Sequence, residues 1–324
     1  MPVTLRHNYD FDPTYGYDLD QLLQVESSVT PADFAYFWQQ KYERAMQVTP
    51  YVSLQDTGRI VNHWRVFDCY YNSTDGMRIG GWLLLPEKEE IHCAVVWAHG
   101  YGGLDEPDTS WKLRHTAMLV PCVRGISRSQ HHPISDDPYW HVLHNVQDRE
   151  HYIIGGCVQD LWCGISALLT LYPNLKYKIG MIGNSLGGGL AIFASAFDKR
   201  IKRCHFHVPT FGNVALRLTM PTIGSTQALI DFGNQALLAR NLPYFDTSCA
   251  AKFITQPSHW GVALFDPYVA PPGQFSAYNA CKGDKELFVL EAGHFIYRGE
   301  GKQRRELRKN VEAFFKTLGN CDES

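Results

Sequence analysis

Lys178-Ile-Gly-Met-Ile-Gly-Asn-Ser-Leu-Gly-Gly-Gly-Leu-Ala191 is the stretch from which the rest of the chain can be read. Lys178 to Ile182 reads as a short buried strand, and Gly183-Asn184-Ser185-Leu186-Gly187 as a sharp turn that opens directly into a helix. Gly183 and Gly187 stand two positions either side of Ser185, the G-x-S-x-G spacing of a turn that lifts a serine clear of a sheet. The need for glycine is steric. A serine held on so tight a turn has a strained backbone, and side chains two positions away would collide across it. Gly187, Gly188 and Gly189 each cost a helix about 1 kcal/mol against alanine, a cost that close packing of the helix on its strand accounts for. The competing reading makes Ser185 an ordinary N-cap at a glycine turn.

The surrounding composition sets limits. The chain has 324 residues, 45% of them hydrophobic, enough for one large core. Lys and Arg number 30 against 33 Asp and Glu, and a net charge of −3 gives no reason to invoke nucleic acid or an anionic membrane as partner. Met1 to Asn8 has no apolar signal region, and no uncharged apolar run of 18 residues occurs. Nine cysteines without a C-x-x-C pair read as reduced thiols, so a cytoplasmic location is expected.

Strands alternate with helices along the chain, the signature of an α/β fold with a mostly parallel sheet. Residues 1–29 mix Asp10, Asp12, Asp18 and Asp20 with Tyr9, Phe11, Tyr15 and Tyr17, and read as an arm lying over the body. Thr30 and Pro31 suggest the N-cap and first position of a helix carrying Phe34, Phe37, Trp38 and Tyr42 inward. Strands are expected at Trp64 to Tyr71, Met77 to Leu85, Cys93 to Ala98, Ala117 to Val123, Cys204 to Phe211, Trp260 to Phe265 and Leu287 to Leu290. Helices are expected from Cys157 to Tyr172 and from Gln303 to Leu318. Residues 1–324 read as a single domain, with cap segments near 126–150 and 212–250.

Three of these strands end in chemistry. Ser185, Asp266 and His294 each follow one, in the chain order nucleophile, acid, base, and strand carboxyl ends cluster in open α/β sheets. His294 would take the serine proton, and Asp266 would fix the imidazole tautomer. The amides of Leu186, at the helix start, and of Tyr101, in the glycine-rich loop His99-Gly-Tyr-Gly-Gly103, would form an oxyanion hole.

With Trp82-Leu-Leu-Leu-Pro86, His99-Gly-Tyr-Gly-Gly103, Val123-Arg-Gly125, Gly183-Asn-Ser-Leu-Gly-Gly188, Leu264-Phe-Asp266, Pro271-Pro272, Ala277-Tyr-Asn279 and Gly293-His294, the chain resembles the acetyl xylan esterase / cephalosporin-C deacetylase family (carbohydrate esterase family 7-like) of α/β-hydrolases. The helix Pro31-Ala-Asp-Phe-Ala-Tyr-Phe-Trp38 resembles that family's N-terminal region, so the likeness spans nearly the whole chain. The resemblance implies an α/β-hydrolase fold and a serine esterase that removes acetyl groups from sugars or small alcohols. It implies no cofactor and no metal, a small-molecule ester or acetylated saccharide as substrate, and a homo-oligomer, often a hexameric ring. On the matched positions it makes Ser185 the nucleophile, Asp266 the acid and His294 the base. It makes Tyr101 and Leu186 the oxyanion donors, with Tyr101 also at the substrate. Four positions depart from the family pattern: Cys122, Ile126, Leu186 and Phe295.

Rival residues and activities remain in view. Asp246 and Asp284 compete with Asp266, and His259, read as preceding a strand, competes with His294. Cys204, His205 and His207 could suggest a metal, but Cys204 and His205 alternate across a strand, which favours packing. His131 and His132 read as a solvated pair, and Arg124 as a structural arginine or an anion binder. The same triad also serves an acyltransferase, a thioesterase or a peptidase, and a lapsed site would leave a binding protein.

Overall fold

The apolar runs assemble into one sheet, covered on both faces. The computed structural model describes residues 1–320, so Cys321 lies outside the described residues. The strands are β1 (Ser53–Val61), β2 (Trp64–Asn72), β3 (Arg78–Pro86), β4 (Cys93–Ala98), β5 (Thr116–Pro121), β6 (Ile179–Asn184), β7 (Ile201–His207), β8 (Ser258–Ala263) and β9 (Lys285–Leu290). Their spatial order is β1-β2-β3-β5-β4-β6-β7-β8-β9. The first three strands and β5 pair antiparallel, and β5 through β9 run parallel. β4 is buried along nearly its whole length, as a central parallel strand must be.

One face carries the larger core. Trp38 from the helix Phe34–Met46, Trp162 from Ile153–Leu171 and Phe193 from Leu186–Phe197 meet there, with Trp38 and Phe193 rings stacked at 4.5 Å. The helix Ile153–Leu171 is long and apolar enough to cross a bilayer, but it is buried between the sheet and its neighbours. On the other face Leu307, Val311, Phe314 and Phe315 of the helix Glu300–Phe315 cover Val95, Ile182 and Ala263. Its charged residues face outward, which is why the amphipathic pattern is legible in the sequence.

Local expectations fail at several boundaries. Thr30 does not cap the first long helix, which begins at Phe34 after Asp33; the Thr30 hydroxyl instead accepts from Lys252. β7 stops at His207, because Val208 and Phe211 take positive φ values that no strand accommodates. His259 lies within β8 rather than before it. The strand β1 was invisible to periodicity: an edge strand paired only with β2, it is exposed or half-buried throughout. The segments 126–150 and 212–250 contain short helical pieces, among them Pro138–His141, Val214–Arg217, Thr226–Asp231 and Gln235–Asn241.

Candidate active site

β6 runs into the turn, and Ser185 stands at its apex with φ 55° and ψ −114°. An N-cap serine has extended backbone and turns its oxygen onto helix amides. Ser185 does neither. Such a backbone costs about 1–3 kcal/mol and persists only where the surroundings over-determine it. Here the Ser185 amide donates to the His207 carbonyl at 2.9 Å, and the Ser185 carbonyl accepts from Gly189 at 3.0 Å and Thr210 at 3.3 Å. A Cβ on Gly183 would lie 2.2 Å from the Gly187 carbonyl oxygen, and one on Gly187 would lie 2.1 Å from that of Ala98. The two glycines are therefore what lets the turn close against β4 and the helix.

Asp266 follows β8 and His294 follows β9, and both reach the serine. His294 Nε2 is 2.9 Å from Ser185 Oγ, and His294 Nδ1 is 2.8 Å from Asp266 Oδ2. A carboxylate only accepts, so Nδ1 bears the proton and Nε2 is free to accept the serine hydroxyl hydrogen. Asp266 is fully buried, and its Oδ1 accepts the amides of Tyr268 and Val269, both at 2.9 Å. Its Oδ2 also accepts from Gln274 Nε2 at 3.1 Å, and the Gln274 amide is oriented by Ala263 N–H, which donates to its Oε1 at 2.9 Å. Burial alone would lower the His294 pKa, but the Asp266 carboxylate and its hydrogen bond outweigh it and hold the imidazole above the ordinary histidine value.

Two amides are the expected oxyanion donors. Leu186 begins the helix Leu186–Phe197, so its N–H has no intrahelical acceptor. Among the described residues neither it nor the Tyr101 amide donates to another backbone carbonyl. The Tyr101 loop is pinned twice. His99 Nε2 accepts from the Val123 amide at 3.1 Å, so its Nδ1–H donates to the Gly100 carbonyl at 2.7 Å. The Tyr101 hydroxyl meets His141 Nδ1 at 3.2 Å. His99, His141 and Gln274 are supports that sequence reasoning did not identify, because no motif or periodicity marks the contacts they make.

The N-terminal arm borders the acid. The Pro13 carbonyl accepts from the Asp266 amide at 3.1 Å, and the Tyr15 hydroxyl donates to the Pro221 carbonyl at 2.8 Å. Phe295 packs at 4.8 Å on Phe265 and at 6.2 Å on Tyr9, so this departure from the family pattern continues an aromatic row from the arm. Ile126 and Cys122 are buried, Ile126 in the larger core and Cys122 in the smaller one.

Above the serine lies an open cleft of about 720 Å³. Tyr101, Tyr139, Ile223, Tyr268 and His294 line it, so residues of both segments proposed as caps, 126–150 and 212–250, contribute walls. The Tyr268 ring lies 5.3 Å from that of His294.

The rival residues are engaged elsewhere. Asp246 accepts the amides of Asn213, Val214 and Ser248 at 2.7–2.9 Å. Asp284 stands at the start of β9, the strand end opposite His294. His259 Nδ1 faces His205 Nδ1 at 3.0 Å inside the sheet. Arg124 sets its guanidinium on Asp160, with Nη2 2.7 Å from Oδ1, and on Asp75 at 2.9 Å, which makes it structural. His131 and His132 are exposed, outside the cleft lining. Among the described residues no group of three or more His, Cys, Asp or Glu is arranged to hold a metal.

Comparison with known proteins adds to this geometry. The fold is similar to that of acetyl xylan esterase 1 from a Thermoanaerobacterium species, at a TM-score of 0.78 and 21% identity over 93% of this chain and 99% of that one. An acetyl xylan esterase from a Paenibacillus species gives a TM-score of 0.77 at 21% identity, covering 92% of this chain and 100% of that one. The acylaminoacyl peptidase of Pyrococcus horikoshii gives 0.64 at 18% identity, over 82% of this chain and 43% of that one. These likenesses establish an α/β-hydrolase fold. The family model for acetyl xylan esterase (AXE1) matches residues 15–308. A match over that span settles descent: the chain belongs to the acetyl xylan esterase family.

Proposed function

We propose that the protein is a serine esterase that removes acetyl groups from small esters or acetylated saccharides through an acyl-enzyme. The observation that carries the reading is the 2.9 Å contact between His294 Nε2 and Ser185 Oγ, with Asp266 on the other ring nitrogen. Ser185 Oγ attacks the ester carbonyl carbon as its proton passes to His294 Nε2. The carbonyl oxygen takes up the negative charge between the Tyr101 and Leu186 amides. When the C–O bond breaks, the imidazolium gives its proton to the departing alkoxide. His294 then takes a proton from water as the water oxygen attacks the acyl carbon, and returns that proton to Ser185 Oγ as the acyl bond breaks and the carboxylic acid leaves.

The cleft supports a saccharide or comparable polar alcohol. Tyr268 and Tyr139 are among its lining residues, and its open mouth leaves room for a bulky leaving group. Residues 126–150 and 212–250 act as the cap of a single domain in this reading. Assembly with further copies and a cytoplasmic location complete it; the latter is supported by free, buried cysteines such as Cys69, Cys157 and Cys204.

Ser185→Ala tests the assignment. Hydrolysis of p-nitrophenyl acetate is expected to fall by about 10⁴–10⁶ in kcat with folding intact. Retained turnover, or a wild-type serine that does not react with a fluorophosphonate probe, refutes it.

A further inference from the structure

The short helix Val214–Arg217 ends in an arginine that the proposed chemistry does not use. Arg217 is only 5% exposed, and its guanidinium offers five donors. Among the described residues it has one hydrogen-bond acceptor, Thr226 Oγ1, at 3.2 Å from Nη1. Among the described residues its Nε is buried and has no partner. The contrast with Arg124 is direct: that buried guanidinium has Asp160 and Asp75 within 3 Å, whereas none of the ion pairs among the described residues includes Arg217. Asp246 acts on Arg217 through space, but its oxygens accept from Asn213, Val214 and Ser248. The Phe211 ring lies 5.3 Å from the guanidinium carbon, a cation–π contact weaker than the cost of burying an unpaired charge.

Arg217 lines a small cavity of about 10 Å³, the room of one water-sized particle. A neutral occupant would satisfy a donor and leave the charge uncompensated, and arginine does not shed its proton in proteins. Burial nevertheless presses the Arg217 pKa below its ordinary value, as expected where a compensating charge is needed. The wall is rich in hydroxyls. Thr226 Oγ1 accepts from Arg217 and so keeps its hydrogen for another partner, and Thr210 also lines the space. Thr222 is engaged, its hydroxyl lying 2.8 Å from the Pro267 and Tyr268 carbonyls.

We propose that a halide-sized monovalent anion occupies this cavity, bound by Nε of Arg217 and the hydroxyls of Thr226 and Thr210. The site adjoins the esterase centre. Thr210, Thr222, Tyr268 and Val269 line both the cavity and the catalytic cleft. The Thr210 amide donates to the Ser185 carbonyl, and the Tyr268 and Val269 amides hold Asp266. An anion here braces the wall between the acid loop and the serine turn.

The test uses the full chain, prepared free of halide in sodium gluconate, whose anion is too large for the cavity. Sodium chloride or bromide then replaces gluconate at constant ionic strength while Tm is recorded. A rise of about 3–8 °C is expected at a hundredfold excess over Kd, growing with the logarithm of halide concentration. Arg217→Met, which removes the buried charge, is expected to fold and to lose that rise; Thr226→Val keeps the charge and is expected to need about tenfold more halide for it. Bromide-soaked crystals of the wild type should show an anomalous peak beside Nε, which keeps the test decisive if the methionine variant fails to fold. A wild-type Tm indifferent to halide, the same rise in Arg217→Met, or a neutral water beside Nε in bromide overturns the proposal.

Discussion

Tyr101 donates its hydroxyl hydrogen to Nδ1 of His141 across 3.2 Å. The direction follows from the other nitrogen, which lies 3.0 Å from the Arg124 carbonyl and must carry the ring proton because a carbonyl only accepts. Burial lowers the His141 pKa to about 4, so the ring stays neutral at physiological pH. The Tyr101 side chain, and with it the backbone amide, is thus positioned by a ring at the end of the short helix Pro138–His141. His141→Phe keeps the shape and loses both bonds. It should lower kcat for p-nitrophenyl acetate about tenfold with KM little changed, since a loosened oxyanion donor acts mainly in the transition state. An unchanged kcat argues against this support.

His294 acts as a base only when neutral, and its pKa is raised by Asp266 despite burial. The kcat/KM profile should therefore fall as pH drops, with a midpoint above about 6.5, the unperturbed histidine value. Asp266→Asn removes the negative charge that raises it. The variant should lose about 10⁴ in kcat, and the midpoint of its residual activity should move to lower pH. A midpoint that stays put in this variant means that another group sets the limb.

Arg124 serves the fold. Arg124→Leu would leave Asp160, which is fully buried, without its cation, and urea denaturation should show a loss of about 3–5 kcal/mol. The KM of the folded fraction should hold. A selective rise in KM for anionic esters would instead return Arg124 to substrate binding.

Histidines inside the sheet should make the protein acid-sensitive. Burial lowers the pKa of His207 and of His259 to about 4, and that of His205 well below its ordinary value. These rings are neutral when folded and bind protons more readily when unfolded. Their contribution is complete above about pH 6.5 and is lost as pH falls towards about 4, with a limiting slope of about 1.4 kcal/mol per pH unit for each ring. Denaturation midpoints measured between pH 7 and pH 4.5 should show the decline, and His259→Gln should flatten it.

Much of this was legible in the sequence, for identifiable reasons. Cys93–Ala98 was read to the residue because a strand buried on both faces must be apolar throughout. The serine turn was legible because its glycines answer a backbone collision, which is local. Asp266 and His294 were reachable through strand order alone. The supports were not. Gln274 matters through a carboxylate on the preceding loop, and His141 through a tyrosine forty residues away in sequence. β1 escaped because an exposed edge strand leaves no buried side to pattern. Thr30 misled because its hydroxyl serves Lys252 rather than the helix it precedes.

The bond from the Asp266 amide to the Pro13 carbonyl ties an early stretch of the chain to a loop made some 250 residues later. A nascent chain has no complete triad until position 294 has left the ribosome, and by then the arm around Pro13 has long been waiting for the acid loop it will brace. Maturation is thereby timed by translation itself: competence arrives late, when two stretches made far apart in time meet.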